Sequence, residues 1–255
     1  MVLLDVNPLF YAVAVFGVLL TGISKSGFSG GVGTLTVPIL AIMISPVAAA
    51  AIMLPILCLM DVLTIWSYRG RWDRRNLLLL LPGAAVGIGI GWLTFDHVSE
   101  DAVRLILGAI SLLFGLHYFV GRAAARAQRP GNPVVGVICG TIAGITSFVA
   151  HAGGPPVQFF LLPQRMDKTV FVGTNVVFFF LVNLVKLVPY AWLGQFAAQN
   201  LTTSLILAPV APLGVWLGLR LHRLVSQQLF YRISYAAMIV AGVKLLWDGI
   251  AGSLG

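Results

Sequence analysis

Residues 22–38, GISKSGFSGGVGTLTVP, place one lysine among three serines and five glycines. Ser24, Ser26 and Ser29 supply hydroxyl donors and Lys25 a positive charge. Gly30 and Gly31 let a ligand approach the backbone. A second stretch, residues 146–158, TSFVAHAGGPPVQ, carries Thr146, Ser147, His151, Gly153, Gly154 and Gln158. Both stretches are rich in donors and hold no carboxylate, which suits the binding of a small anion. Three further polar residues lie inside long apolar runs: Asp61, Asn175 and Lys186, the last near Asn183. Asp61 is too short to reach water and costly if ionised alone. It either pairs with a lysine or carries a proton. Lys25 and Lys186 either meet the anion or snorkel to a membrane surface. His151 binds anion, exchanges protons or is a packed core histidine. Gln158 and Asn175 are candidate donors.

These residues need elements to hold them, and composition limits the choice. Apolar residues make up 59% of the 255-residue chain and charged residues 9%. A soluble domain carries about 25% charged residues. The chain is therefore expected to be solvated mostly by lipid, as a multi-pass protein of the cell (inner or plasma) membrane. The net charge of +8 does not imply nucleic acid, because the basic residues fall in short loops between apolar runs. The N-terminus has no basic region before its apolar run and is expected to be mature structure rather than a signal. Cys58 and Cys139 lie apart in apolar segments, with no metal-ligand spacing. No Walker A motif, nucleophile–base pair or Cys/His cluster is present, so neither an enzyme nor a cofactor is implied.

The apolar runs predict an all-α membrane fold with helices at 8–24, 32–44, 47–68, 76–94, 102–121, 133–149, 155–163, 169–192, 201–219 and 228–250. Most reach the roughly 20 residues a bilayer core requires, but 32–44 and 155–163 do not. Twelve of the sixteen basic residues fall in four loops, near 69–75, 122–129, 165–168 and 220–232. By the positive-inside rule these loops are cytoplasmic. Ten crossings with both termini outside satisfy them. Eight crossings, with each short segment an arm of a re-entrant hairpin, is the competing topology. Trp66, Trp72, Trp92 and Trp192 read as interfacial anchors. Lys244 and Asp248 sit one helical turn apart, as a surface ion pair would.

The halves resemble each other. SGGVGTLTVPIL parallels HAGGPPVQFFLL, and each precedes a short segment and a long helix ending near Tyr68 or Tyr190. The first of those helix ends is rich in arginine and the second has no charge, so they should face opposite sides. Two inverted five-segment repeats are expected, 1–128 and 129–255, forming one integrated membrane domain. The Gly-rich breaks before the short segments should lie within the membrane, the second about 15 Å deep. Each short helix would then aim its positive N-terminal end into a central cavity.

At these residues the chain resembles the TauE/SafE family of sulfite and organosulfur-anion exporters. The resemblance rests on GFSGGVGTLTVP, AHAGGPPVQFFLLP, VGTN at Val172–Asn175, and PVAPLGVWLGLRL at Pro209–Leu221. It implies export of sulfite, sulfoacetate or a related sulfonate. The expected mechanism is alternating access, with the anion held by Ser24, Lys25, Ser26, Ser29, Gly30, Gly31, His151, Gly153, Gly154, Gln158, Asn175 and Lys186. Asp61 or His151 would couple transport to protons. An anion channel of the same architecture is the alternative.

Overall fold

The computed structural model describes residues 8–28, 33, 36–41, 43–95 and 130–254, and ten residues singly between 101 and 119. Ser29, Gly30 and Gly31 lie outside the described residues. So does the basic loop at 122–129.

The described residues are all-helical, with no strand. Their α-helices are α1 Pro8–Phe28, α2 Thr36–Ala41, α3 Pro46–Tyr68, α4 Arg74–Leu93, α5 Pro133–Ala150, α6 Gly154–Leu161, α7 Lys168–Trp192, α8 Ala198–Leu207, α9 Val210–Leu224 and α10 Gln227–Leu254. The ten described residues between 101 and 119 are also helical. α1, α3, α4, α5 and α7 are each long and apolar enough to cross a membrane, and α8 with α9 would make a sixth span. α2 and α6 rise about 9 and 12 Å at 1.5 Å per residue, so neither spans a bilayer core alone. Leu78, Leu93 and Leu205 are each more than 70% exposed, as a lipid-facing surface requires.

Side-chain caps set where several long helices begin. Ser45, Asp73, Asn132 and Asp167 each accept from backbone N–H groups of the first turn of α3, α4, α5 and α7. Such caps satisfy donors that the helix itself cannot. Two boundaries differ from expectation. α1 runs to Phe28, so Ser24, Lys25 and Ser26 lie in its last two turns rather than in an irregular break. The predicted helix 201–219 is two helices bent by 46°. Pro209 stands at the bend, where it offers no N–H and clashes with the preceding turn.

α4 packs along α5, and α1 along α9. Lipid supplies no hydrophobic drive between helices, so close packing must hold them together. A side chain at Gly22 would stand 2.9 Å from the Gly214 Cα, and one at Gly27 would stand 2.7 Å from the Gly218 carbonyl oxygen. Glycine alone permits that approach.

Two tyrosines tie the ends of the long helices together. Tyr68 Oη donates to the Ser26 carbonyl at 2.7 Å, and Tyr190 Oη donates to the Phe148 carbonyl at 2.8 Å. Each acceptor lies 42 residues before its tyrosine. His222 Nδ1 donates to the next carbonyl of α1, that of Gly27, at 3.0 Å. Helix-terminal carbonyls that would otherwise lack partners are thus capped from other helices. Near the C-terminus Lys244 pairs with Asp248, and Arg104 with Asp101 at 2.8 Å.

Candidate functional site

α3 and α7 bring Asp61 and Asn183 together in the protein interior. Asn183 Nδ2 donates to Asp61 Oδ2 at 2.8 Å, across 122 residues of sequence. The other carboxylate oxygen forms an ion pair with Lys25 Nζ of α1 at 2.8 Å. Asp61 is fully buried and Lys25 nearly so. A buried carboxylate without partners would be costly, and here both oxygens are held. Lys25 also lies 5.7 Å from the centre of the Phe179 ring, a cation–π distance.

A second cluster adjoins the first. Lys186 is fully buried on α7. Its Nζ donates to the Ser147 carbonyl at 2.9 Å and to Ser147 Oγ at 3.0 Å. The third partner is His151 Nδ1, at 2.7 Å. These three acceptors match the three N–H groups of an ammonium. His151 Nε2 faces the Ala50 carbonyl at 2.9 Å and must donate there, because a carbonyl only accepts. Nδ1 lies 2.7 Å from Lys186 Nζ and 3.2 Å from the Ser147 carbonyl, and in the neutral ring it accepts from Lys186. His151 holds a left-handed backbone, φ 51°, at the end of α5. That turn redirects the chain into α6, and the Tyr190 ring stacks on the imidazole at 6.1 Å.

Between the clusters lies a cavity of about 50 Å³, counted as space open to the centre of a water molecule. About 10–15 Å³ on that measure holds one water, so the space fits a few waters or one small oxyanion. Lys25, Thr21, Thr36, Ser147, His151 and Asn183 form its polar wall. Val37, Met53, Leu57 and Phe179 form its apolar wall, and Gly33 and Gly154 reach it as well. Thr21 and Thr36 hydroxyls lie 2.7 Å apart, and Thr36 Oγ1 donates to the Gly17 carbonyl. The flank of the first break is anchored by the Gly33 N–H, which donates to Ser24 Oγ at 3.1 Å.

Of the residues expected from sequence, Lys25, Ser147, His151 and Gly154 line this cavity. Asp61 and Lys186 stand behind it, reaching it through Lys25 and through Ser147 and His151. Gly153 precedes α6 as its N-terminal cap position. Ser26, Asn175 and Gln158 lie away from the cavity lining. Ser26 Oγ donates to the Gly22 and Val215 carbonyls, so it serves the contact of α1 with α9. Asn175 Nδ2 donates to the Phe171 carbonyl of its own helix, and Gln158 is buried in α6; neither lines the cavity. The N-terminus of α6 is a poorer donor than its position suggests, because Pro155 and Pro156 follow Gly154 and have no N–H.

Thr21, Thr36 and Phe179 were not singled out from the sequence. Thr21 is one turn before Lys25, and Phe179 one turn before Asn183. Those helical intervals were the available signal.

Long apolar helices around a buried, donor-rich cationic cavity define an integral membrane protein of transporter type. The chain belongs to the Sulfite exporter TauE/SafE family, which matches residues 14–245 and so nearly its whole length. No curated protein and no solved structure matches it.

Proposed function

We propose that the protein is a secondary carrier that exports a small sulfur oxyanion, sulfite or an organosulfonate, from the cytoplasm across the inner or plasma membrane. The observation that carries this reading is Lys25 Nζ. It bridges the buried Asp61 carboxylate and a small cavity whose polar wall is otherwise hydroxyl, amide and imidazole. An anion there would accept from Lys25, from the Ser147 hydroxyl and from the second N–H of Asn183 Nδ2 without breaking the ion pair.

The repeats 1–128 and 129–255 are proposed to be inverted halves that rock about this site. Two features support that. The tyrosine caps recur at equal spacing, and Asp61 and Asn183, at the same interval as the two caps, touch each other. A pair of equivalent residues in contact is what a twofold axis between the halves would produce. In the helices the interval is 122, which pairs Gly31 with Gly153. Substrate sites of inverted-repeat carriers lie at such an interface.

Asp61 and His151 are the proposed coupling groups. A proton on Asp61 would remove a negative charge beside Lys25 and so strengthen anion binding. By linkage the anion would favour the proton equally. Sulfite flux that ignores an imposed pH gradient would contradict this coupling.

Sulfite binding to the purified protein, by calorimetry, tests the site. Lys25→Ala should weaken binding about ten- to a hundredfold, the worth of a charge-assisted hydrogen bond. Unchanged binding in the variant would remove Lys25 from the site.

A further inference from the structure

We infer that the buried site carries one net positive charge and therefore selects singly charged over doubly charged oxyanions. The inference rests on the anion-site reading above and adds the valence of the substrate.

The count takes Lys186 as an ammonium, a form that its three hydrogen-bond partners accommodate. Lys25 and Asp61 form a 2.8 Å pair that sums to zero wherever the shared proton lies. Lys186 has three neutral acceptors at 2.7–3.0 Å, one for each N–H of an ammonium. No carboxylate among the described residues lies within ion-pair distance of it. His151 donates through Nε2 to the Ala50 carbonyl, and its Nδ1 lies 2.7 Å from Lys186 Nζ, so one proton shared between them gives lysine and imidazole together a single positive charge. One positive charge, that of Lys186, is left without a counter-charge.

That charge reaches the cavity through Ser147 and His151, which bond Lys186 and also line the space. Val37, Met53, Leu57 and Phe179 add apolar surface to the lining. Ser147, Lys186 and Asp61 are buried, so a residual charge there is screened less than one at the protein surface. A monoanion makes the site neutral. A dianion leaves one uncompensated negative charge and must also shed a stronger hydration shell to enter so small a space. In the family's chemistry this favours a sulfonate or the protonated form of sulfite over a doubly charged ion such as sulfate.

The test compares perchlorate and sulfate, tetrahedral oxyanions of similar size that differ by one charge, as competitors of sulfite on the purified protein. Wild type should prefer perchlorate. Asp61→Asn adds one positive charge and should move the sulfate-to-perchlorate affinity ratio toward sulfate by about tenfold. Lys186→Met removes one and should move the ratio the other way. The ions' own hydration is the same in every variant and cancels in these comparisons. If Asp61→Asn does not fold, Lys186→Met still carries the opposite-signed prediction. Sulfite binding with a ratio unchanged in the variants, or a wild-type preference for sulfate, overturns the inference alone. Failure of sulfite, perchlorate and sulfate to bind wild type overturns it together with the anion site beneath it.

Discussion

At the residue scale, three side chains bear most of the account: Lys25, Lys186 and His151. Lys186→Ala would leave the Ser147 carbonyl, its hydroxyl and His151 Nδ1 without their donor in a dry interior. The expected cost is about 2–4 kcal/mol, read as a fall in the melting temperature of the detergent-solubilised protein. A variant as stable as wild type would mean that water takes the place of Nζ. His151 sits at φ 51°, a region that histidine and asparagine tolerate and β-branched residues do not. His151→Asn should therefore lose less stability than His151→Val, by about 1–2 kcal/mol. Equal losses would show that the ring contacts, not the backbone, dominate. Lys25, Asp61, His151 and Lys186 were legible in the sequence because a charge or imidazole is expensive inside an apolar run. Their partnerships were not legible. Nothing in the spacing says that Lys25 takes Asp61 rather than Lys186 doing so, because that depends on how α1 and α7 are rotated. Ser26 misled for a related reason. It is one residue from Lys25, which on a helix turns its side chain about 100° away, toward α9.

At the element scale, the helices are held by close backbone approach and by caps donated from neighbours. Gly22→Val would force α1 away from α9, since the new side chain would start 2.9 Å from the Gly214 Cα. Loss of the monodisperse folded protein on size-exclusion chromatography is the expected outcome; normal elution would show that the pair can slide apart. Tyr68→Phe and Tyr190→Phe each remove one hydrogen bond from a helix-terminal carbonyl. Each should cost about 1 kcal/mol, and the double variant about the sum, because separated sites act independently. A double variant that loses much more than the sum would mean the two caps act as one unit. Most long helices were readable from their apolar runs and from the Ser, Asp and Asn residues that begin them. The bend at Pro209 was not, because a proline in a membrane helix permits either a continuous or a broken span.

At the scale of the whole molecule, the account requires two halves of opposite orientation around one buried site. In a background with Cys58 and Cys139 replaced, a cysteine at Ser67 and one at Ala191 mark the ends of α3 and α7. They should react with a membrane-impermeant maleimide from opposite faces of the membrane; labelling from the same face would contradict inversion. The most direct test of the central claim is counterflow of labelled sulfite in proteoliposomes holding the purified protein. The expected result is saturable uptake that unlabelled sulfite on the far side accelerates and that Lys25→Ala lowers about tenfold or more at low sulfite. Uptake that neither saturates nor responds to sulfite on the far side, or that survives Lys25→Ala intact, would contradict it.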